Sequence, residues 1–281
     1  MAKLEHNTYG KHRVRVMRFH RRDSGVHEVL EITADVLLEG DLAGSYLSDD
    51  NSSIVPTDTV KNTVTVLAND YEGTCRTEFA QVVGRHFLET YEHITGVNLE
   101  IRERRWDRMT IDGEAHPHSF THAANGVWFA KGSFKKSGTT KLTAGIRDHL
   151  VMKTTGSGFV GYNECELTTL PPTEDRFFST YLAAEWEFGK AVSEGFSEVD
   201  ELALAAAHRV FATTYSPSVQ RTLFETGEAI LEVAPKIERV SLTMPNVHFL
   251  PIDLTKLGRS EAKVVLPTDE PHGQIVATVG R

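Results

Sequence analysis

The chain has 281 residues, enough for one large domain or two of ordinary size. A composition of 40% hydrophobic and 25% charged residues is ordinary for a soluble globular protein, so a low-complexity or fibrous chain is excluded. The formal net charge of −9 argues against a nucleic-acid partner, which wants a basic face, but leaves room for a small anion held by local arginine and lysine.

Cys75 and Cys165 lie far apart and in no C-x-x-C pattern. Free thiols in a reducing compartment are expected, rather than a disulfide framework or a zinc ribbon. No apolar run approaches the roughly 18 residues of a membrane helix. The first residues lack the apolar core of a signal peptide, and Val279-Gly280-Arg281 is not a peroxisomal tripeptide, so the cytoplasm is the expected location.

In chain order, His12 to Arg22 and His27 to Leu38 are β-rich runs joined by the turn sequence Asp23-Ser24-Gly25, which predicts a hairpin. Asp41 to Pro56 is a long polar loop. Val60, Val64 and Leu67 then recur at i, i+4, i+7 and predict a helix that ends near Tyr71-Glu72-Gly73. Thr57 and Asp58 stand where its N-cap is expected, behind Pro56, which biases the residue before it away from helix. A cap needs only one such side chain. The second hydroxyl or carboxylate is also compatible with a ligand at the helix N-terminus, where partial positive charge favours anions.

Phe79, Val82, Val83, His86, Phe87 and Tyr91 form the stripe of a second helix, with Gly96 expected to stop it. Asn98 to Trp106 alternates as a half-buried strand, Asp112-Gly113 is a turn, and Ser119 to Lys131 is expected to pair back as one strand. Gly132 to Thr139 is a basic joint that suggests a boundary between domains 1–135 and 136–281.

The same order of elements then returns. A strand is expected over 140–149 and an irregular stretch over 153–172. Phe177 to Phe188 is a strand, and Glu198 to Thr213 is an Ala-rich helix. Ser216-Pro217 is expected to open a further helix with serine as cap, and Val219, Leu223, Ile230 and Val233 to face inward. Strands follow over 237–244, 261–266 and 274–279. Each half is thus expected to be an α+β unit, a four-stranded antiparallel sheet with two helices on one face. Its open edges need covering, so an oligomer is expected.

Thirteen histidines raise a metal reading. His116-Pro117-His118 with His122 is the nearest to a ligand cluster, but no neighbouring Glu or Cys completes it, and a surface or interface role is the expectation. Other polar residues admit both a bland and a functional reading. Lys11 is a solvated lysine, or a base if buried beside a hydroxyl. Arg176, after Glu174-Asp175, is a surface ion-pair partner, or a planar fork for a planar anion. Gln220, in a first helical turn, can read a donor and an acceptor on a heterocycle edge. Phe159, between Gly158 and Gly161, is a loop anchor or a stacking plate. Asn246 and His248, two residues apart, put an amide and an imidazole on one face. No nucleotide-binding fingerprint, Ser-His-Asp signature or haem-attachment motif is present. Chemistry alone points to an enzyme or binder of a small planar anion.

Tyr9-Gly10-Lys11, the stretch from Asn51 to Val64, Pro117-His118-Ser119-Phe120, Ser216-Pro217-Ser218-Val219-Gln220 and Pro245-Asn246-Val247-His248 resemble, in this order, the motifs of urate oxidase. That is a family of tandem tunnelling-fold (T-fold) enzymes. The resemblance covers the chain from about Tyr9 to Gly280. It departs at Gln274, where an apolar residue is expected. It implies two tandem T-fold domains assembling into an oligomeric barrel. The implied enzyme oxidises urate with dioxygen and water to 5-hydroxyisourate and hydrogen peroxide, without a cofactor or metal.

Carried over residue by residue, the resemblance implies that Arg176 and Gln220 grip the purine edges and Phe159 stacks on its face. Backbone groups of Val219 and Asp58 complete the hydrogen bonds. Lys11, Thr57 and His248 form a proton relay, and Asn246 with Thr57 holds dioxygen and then water. It also implies a homotetramer in which Thr57 and Asp58 reach a neighbouring chain's pocket. The alternatives are a metal-dependent pterin- or purine-processing T-fold enzyme, and a catalytically silent purine-binding T-fold protein.

Overall fold

The computed structural model describes residues 2–138, 140–190, 192–259 and 263–281. The chain divides into two compact units, the first Met1–Gly145 with Glu187–Ser197, the second Ile146–Trp186 with Glu198–Arg281.

In the first unit, β1 (Tyr9–Arg21), β2 (His27–Gly40), β3 (Ile94–Arg104) and β6 (Val127–Lys135) form an antiparallel sheet in the order β1-β2-β3-β6. The β1–β2 hairpin turns at Asp23-Ser24-Gly25 as expected, with Gly25 at φ 78°. Alternation explains the buried face: Leu30, Ile32, Ala34, Val36 and Leu38 of β2 point inward, as do Val97, Leu99 and Ile101 of β3. Two helices cover that face. α2 (Thr57–Asp70) packs on β1 through Val60, Val64 and Ala68. α3 (Arg76–Thr90) packs on β3 and β6 through Phe79, Ala80, Val83 and Phe87.

The polar loop after β2 carries a short helix, α1 (Ala43–Leu47). Gly96 does not stop α3; the helix ends at Thr90, and Gly96 is a residue of β3 opposite Lys135. The single strand expected over 119–131 is two strands. β4 (Trp106–Ile111) and β5 (Glu114–His122) form their own two-stranded ribbon around the Asp112-Gly113 turn. β6 begins afresh after Ala123-Ala124-Asn125-Gly126, where Gly126 takes φ 96° and breaks the extended backbone.

β7 (Thr140–Lys153) starts in the first unit and ends in the second. There, β8 (Phe178–Phe188) pairs with β7 and with β9 (Ile237–Thr243), and β9 pairs with β12 (Val276–Gly280). α4 (Phe196–Thr213) buries Val199, Ala203, Ala207 and Phe211. α5 (Val219–Val233) packs on β9 and β12 through Val219, Leu223 and Ile230, whereas Val233, expected inward, is 40% exposed at the helix end. A ribbon of β10 (Asn246–Pro251) and β11 (Val265–Gly273) joins the β8 edge through the Val247–Ser179 pair. The expected strand over 261–266 therefore starts later, at Val265, and its first two residues, 261 and 262, lie outside the described residues. Both units are α+β, with two helices against an antiparallel sheet.

The first core is packed tightly enough to give a substitution an unusual sign. A Cβ on Gly84 of α3 would stand 2.3 Å from the Phe134 ring of β6. Glycine-to-alanine changes inside helices ordinarily stabilise by about 0.5–1 kcal/mol. Here Gly84→Ala is expected to destabilise by about 1–3 kcal/mol through overpacking. Urea unfolding checks it, and a variant more stable than the parent contradicts this packing.

Candidate active site

Three candidates belong to the first unit. Lys11 sits on β1 opposite Val36, and the pairing register slips immediately after it, between Lys11 and Val14. Arg13 adopts the left-handed region at φ 59° in that bulge, and its N–H donates to Asp35 Oδ1 at 2.6 Å. Bulges of this kind re-aim side chains along a strand. Thr57 is the first residue of α2, so the cap position falls on Pro56 (φ −53°, ψ 137°) and no side chain caps the helix. This corrects the expected Thr57 or Asp58 cap: a capping residue must stand outside helical backbone geometry, and both are already inside it. The first-turn N–H groups of α2 therefore have no capping side chain. Asp58 instead accepts from Lys61 Nζ at 2.6 Å and from Asn62 Nδ2 at 3.0 Å. The Lys61 ammonium holds its carboxyl below the ordinary range, and the charge of Lys11 adds to the effect.

The other candidates belong to the second unit, gathered by a strap of irregular backbone. Ser157 is central to it: its C=O accepts from Arg176 N–H at 2.8 Å. On either side, Ser216 N–H donates to Gly156 O at 2.9 Å and Gly158 N–H donates to Ser216 O at 2.8 Å. Phe159 and Thr173 exchange backbone bonds at 2.7 and 3.1 Å. The Phe159 loop, Arg176 and the entry to α5 are thus one hydrogen-bonded piece.

Two side chains lock it. Asp175 accepts from Thr155 Oγ1 and from Gly156 N–H, the latter at 2.9 Å, and Tyr215 Oη donates to Glu174 O at 2.9 Å. The α5 cap is Ser218, accepting from Arg221 N–H at 3.1 Å, rather than the expected Ser216. Ser216 is buried, and its hydroxyl accepts from Thr222 Oγ1 at 2.7 Å. Val219 and Gln220 therefore open the first turn of α5, the valine buried and the glutamine exposed. Asn246 and His248 lie on β10, where the register against β11 shifts between them, from Gly273 opposite Asn246 to Thr268 opposite His248.

Arg176 departs from the surface ion-pair reading. Its neighbour Asp175 is turned to Thr155 and Gly156, and among the described residues the half-buried guanidinium has no carboxylate partner. Burial pulls its pKa down, as expected for a charge removed from water without compensation. It lies 5.4 Å from the centroid of the Phe159 ring, which stacks on Tyr162 at 5.0 Å. His248 is also pushed below the ordinary histidine range, first by burial and then by the charges of Arg176 and His272, so its ring is neutral at pH 7. Among the described residues the side chains of Lys11, Thr57, Gln220, Asn246 and His248 make no hydrogen bond or ion pair.

The His116 and His118 rings are 4.6 Å apart on β5, and the described residues contain no group of three or more His, Cys, Asp or Glu placed to hold a metal ion. A cavity of about 690 Å³ in the first unit is lined by Arg15–Glu31 and Arg102–Asp35 ion pairs and by none of the candidate residues. No helix among the described residues is long and apolar enough to cross a membrane. Asp175, Tyr215 and Ser157, which fix the strap, were not singled out from the sequence. The turn-forming composition around Gly156 and Gly158 was the one available signal.

A family model described as Uricase matches residues 7–129 and 142–276. The uricase of Cyberlindnera jadinii is 40% identical over 99% of this chain and 97% of its own length. That of Oryctolagus cuniculus is 36% identical over 97% and 93%. The crystal structure of uricase from Arthrobacter globiformis superposes with a TM-score of 0.92 at 32% identity, covering 100% of this chain and 96% of that one.

The electrostatics of the second unit can be titrated. His248 carries a depressed pKa, so its contribution to stability is fully present above the unfolded value of about 6.5 and is lost as pH falls through the folded one. In an NMR titration its ring should show a midpoint below about 6.5. Arg176→Gln should move that midpoint upward by removing a neighbouring positive charge. A His248 midpoint indifferent to Arg176 contradicts the geometry.

Proposed function

The chain belongs to the uricase family, and we propose that it oxidises urate with dioxygen and water to 5-hydroxyisourate and hydrogen peroxide, using no metal or organic cofactor. The observation that carries this reading is Arg176: a half-buried guanidinium with no carboxylate of its own among the described residues, fixed beside an aromatic ring. An uncompensated charge in that setting is costly unless an anion completes it. A planar purine anion supplies both the charge for the fork and the face for the ring.

In this reading Arg176 takes one edge of urate and Gln220 the other, with the backbone groups of Val219 and Asp58 completing the pattern. Phe159 stacks on the purine. Lys11, acting through Thr57, removes a second proton and makes the electron-rich purine a better donor. Two electrons then pass to dioxygen, held above the ring by Asn246 and Thr57, and with two protons it leaves as hydrogen peroxide. Water takes the vacated place and adds its hydroxyl to C5, giving 5-hydroxyisourate. Atoms balance as urate plus dioxygen plus water. Neutral His248, at the end of the relay, accepts and returns protons.

The working form is a homotetramer, with Thr57 and Asp58 of one chain completing the pocket of the next. The open edge of β1, with Met17 and Phe19 50% and 63% exposed, supports association. Residues 1–135 and 136–281 are read as the two T-fold domains; the gap in the family match between 129 and 142 supports a boundary there, whereas the compact units assign the stretch up to Gly145 and Glu187–Ser197 to the first. Two free thiols, Cys75 and Cys165, support a cytoplasmic location.

The test is a spectrophotometric assay on chelator-treated protein: loss of urate absorbance with one peroxide formed per urate. Chelation that abolishes turnover, restored by one added metal, overturns the cofactor-free reading. Two variants separate the clamp from the base. Arg176→Lys keeps the charge but loses the fork, and should weaken binding of a non-oxidisable urate analogue about tenfold or more. Lys11→Met should cut turnover by about 10²-fold while analogue binding changes much less. Unchanged binding in the first, or near-parent turnover in the second, removes that residue from its role.

A further inference from the structure

We infer that the Tyr9 hydroxyl is a positioning group for the Lys11–Thr57 pair, tying the strand that carries the base to the segment that presents the threonine. The inference rests on the relay proposed above. Tyr9 is two residues before Lys11 on β1, so their side chains leave the same face of the strand. Val55 is two residues before Thr57. Its N–H donates to Tyr9 Oη at 2.6 Å, across 46 residues of sequence.

The position of this bond in the chain gives it leverage. Pro56 has no N–H and a fixed φ, so Val55 carries the last backbone donor before α2, and the link from Val55 to Thr57 is a stiff one. Val55 itself is buried at 4% exposure. The strand end of the tie is equally rigid: a Cβ on Gly10 would lie 1.9 Å from Val36 O, so β1 presses directly on β2 between Tyr9 and Lys11. Burial raises the Tyr9 pKa and keeps the phenol neutral, and α2 packs directly on β1, the strand that carries Tyr9 and Lys11.

A base and its relay hydroxyl must meet within hydrogen-bond reach, and a displacement of about 1 Å can cost as much as 10²-fold in rate. Tyr9→Phe keeps the ring and removes only the acceptor. It should lower kcat about tenfold, with KM and the Kd of a non-oxidisable urate analogue changed less than about twofold. The decisive comparison is the same change in a Thr57→Ala background. A group that acts through Thr57 has nothing left to position there, so Tyr9→Phe should cause no further loss of kcat.

Val55→Pro, which deletes the donor instead, should behave in the same way and serves if Tyr9→Phe does not fold. An unaltered kcat in Tyr9→Phe overturns the inference. So does an equal fold-loss with and without Thr57, the mark of a merely structural residue. Near-parent turnover of Thr57→Ala alone would instead overturn the relay itself, and the role of Tyr9 with it.

Discussion

The second unit turns on Arg176, a charge with no carboxylate partner among the described residues. Arg176 is removed from water far enough to depress its pKa, yet the adjacent carboxylates that should neutralise it do not. Asp175 is committed to Thr155 and Gly156, and Glu174 presents its backbone C=O to Tyr215. The second unit thus holds a cation in a fixed place with no carboxylate partner among the described residues, a setting that an anionic ligand would complete. The rest of the strap builds this setting. The Ser157 bridge sets the backbone of Arg176, the Gly156–Ser216 and Gly158–Ser216 bonds bring the start of α5 beside it, and Phe159 supplies an apolar face. The same positive charge helps to keep His248 neutral, and so able to accept a proton.

The first unit is built on the opposite principle. Its candidate groups gain their position from backbone devices rather than from burial: a bulge just after Lys11, a proline just before Thr57, and a helix start with no capping side chain. Asp58, the one acid there, is balanced by Lys61 and Asn62, so the helix start can offer backbone donors to an anion without presenting a free carboxylate to repel it. Neither unit has the full chemistry. Arg176 and His248 belong to one and Lys11 and Thr57 to the other, and the proposed reaction needs both sets around the same purine.

Much of the fold was legible because periodicity is a direct consequence of burial. Val60 and Val64, the Phe79–Phe87 stripe and the alternation of β3 each expose one face to a core. What was not legible was local backbone choice among adjacent polar residues. Thr57 or Asp58 as cap, and Ser216 rather than Ser218, are differences of one or two residues in where helical geometry begins, and several side chains suit each place. The β5–β6 break did carry a local signal, the turn dipeptide Asn125-Gly126 ahead of the apolar run Val127–Ala130, which a reading of one continuous strand passes over. Arg176 was ambiguous in the sequence, since Glu174-Asp175 suggests an ion pair; only the fold shows Asp175 turned away. The Tyr9–Val55 bond joins residues that no local pattern connects.

In the proposed assembly, Arg176 of one chain and Thr57 of another complete one site. Thr57→Ala and Arg176→Ala proteins, each nearly inactive alone, test it when unfolded together and refolded as a mixture. If the site is shared, an intact one needs Arg176 from one chain and Thr57 from its neighbour. Random symmetric assembly then restores roughly a quarter of sites. Demonstrated mixed oligomers without recovered urate oxidation would place both residues in the same chain's site and contradict the account.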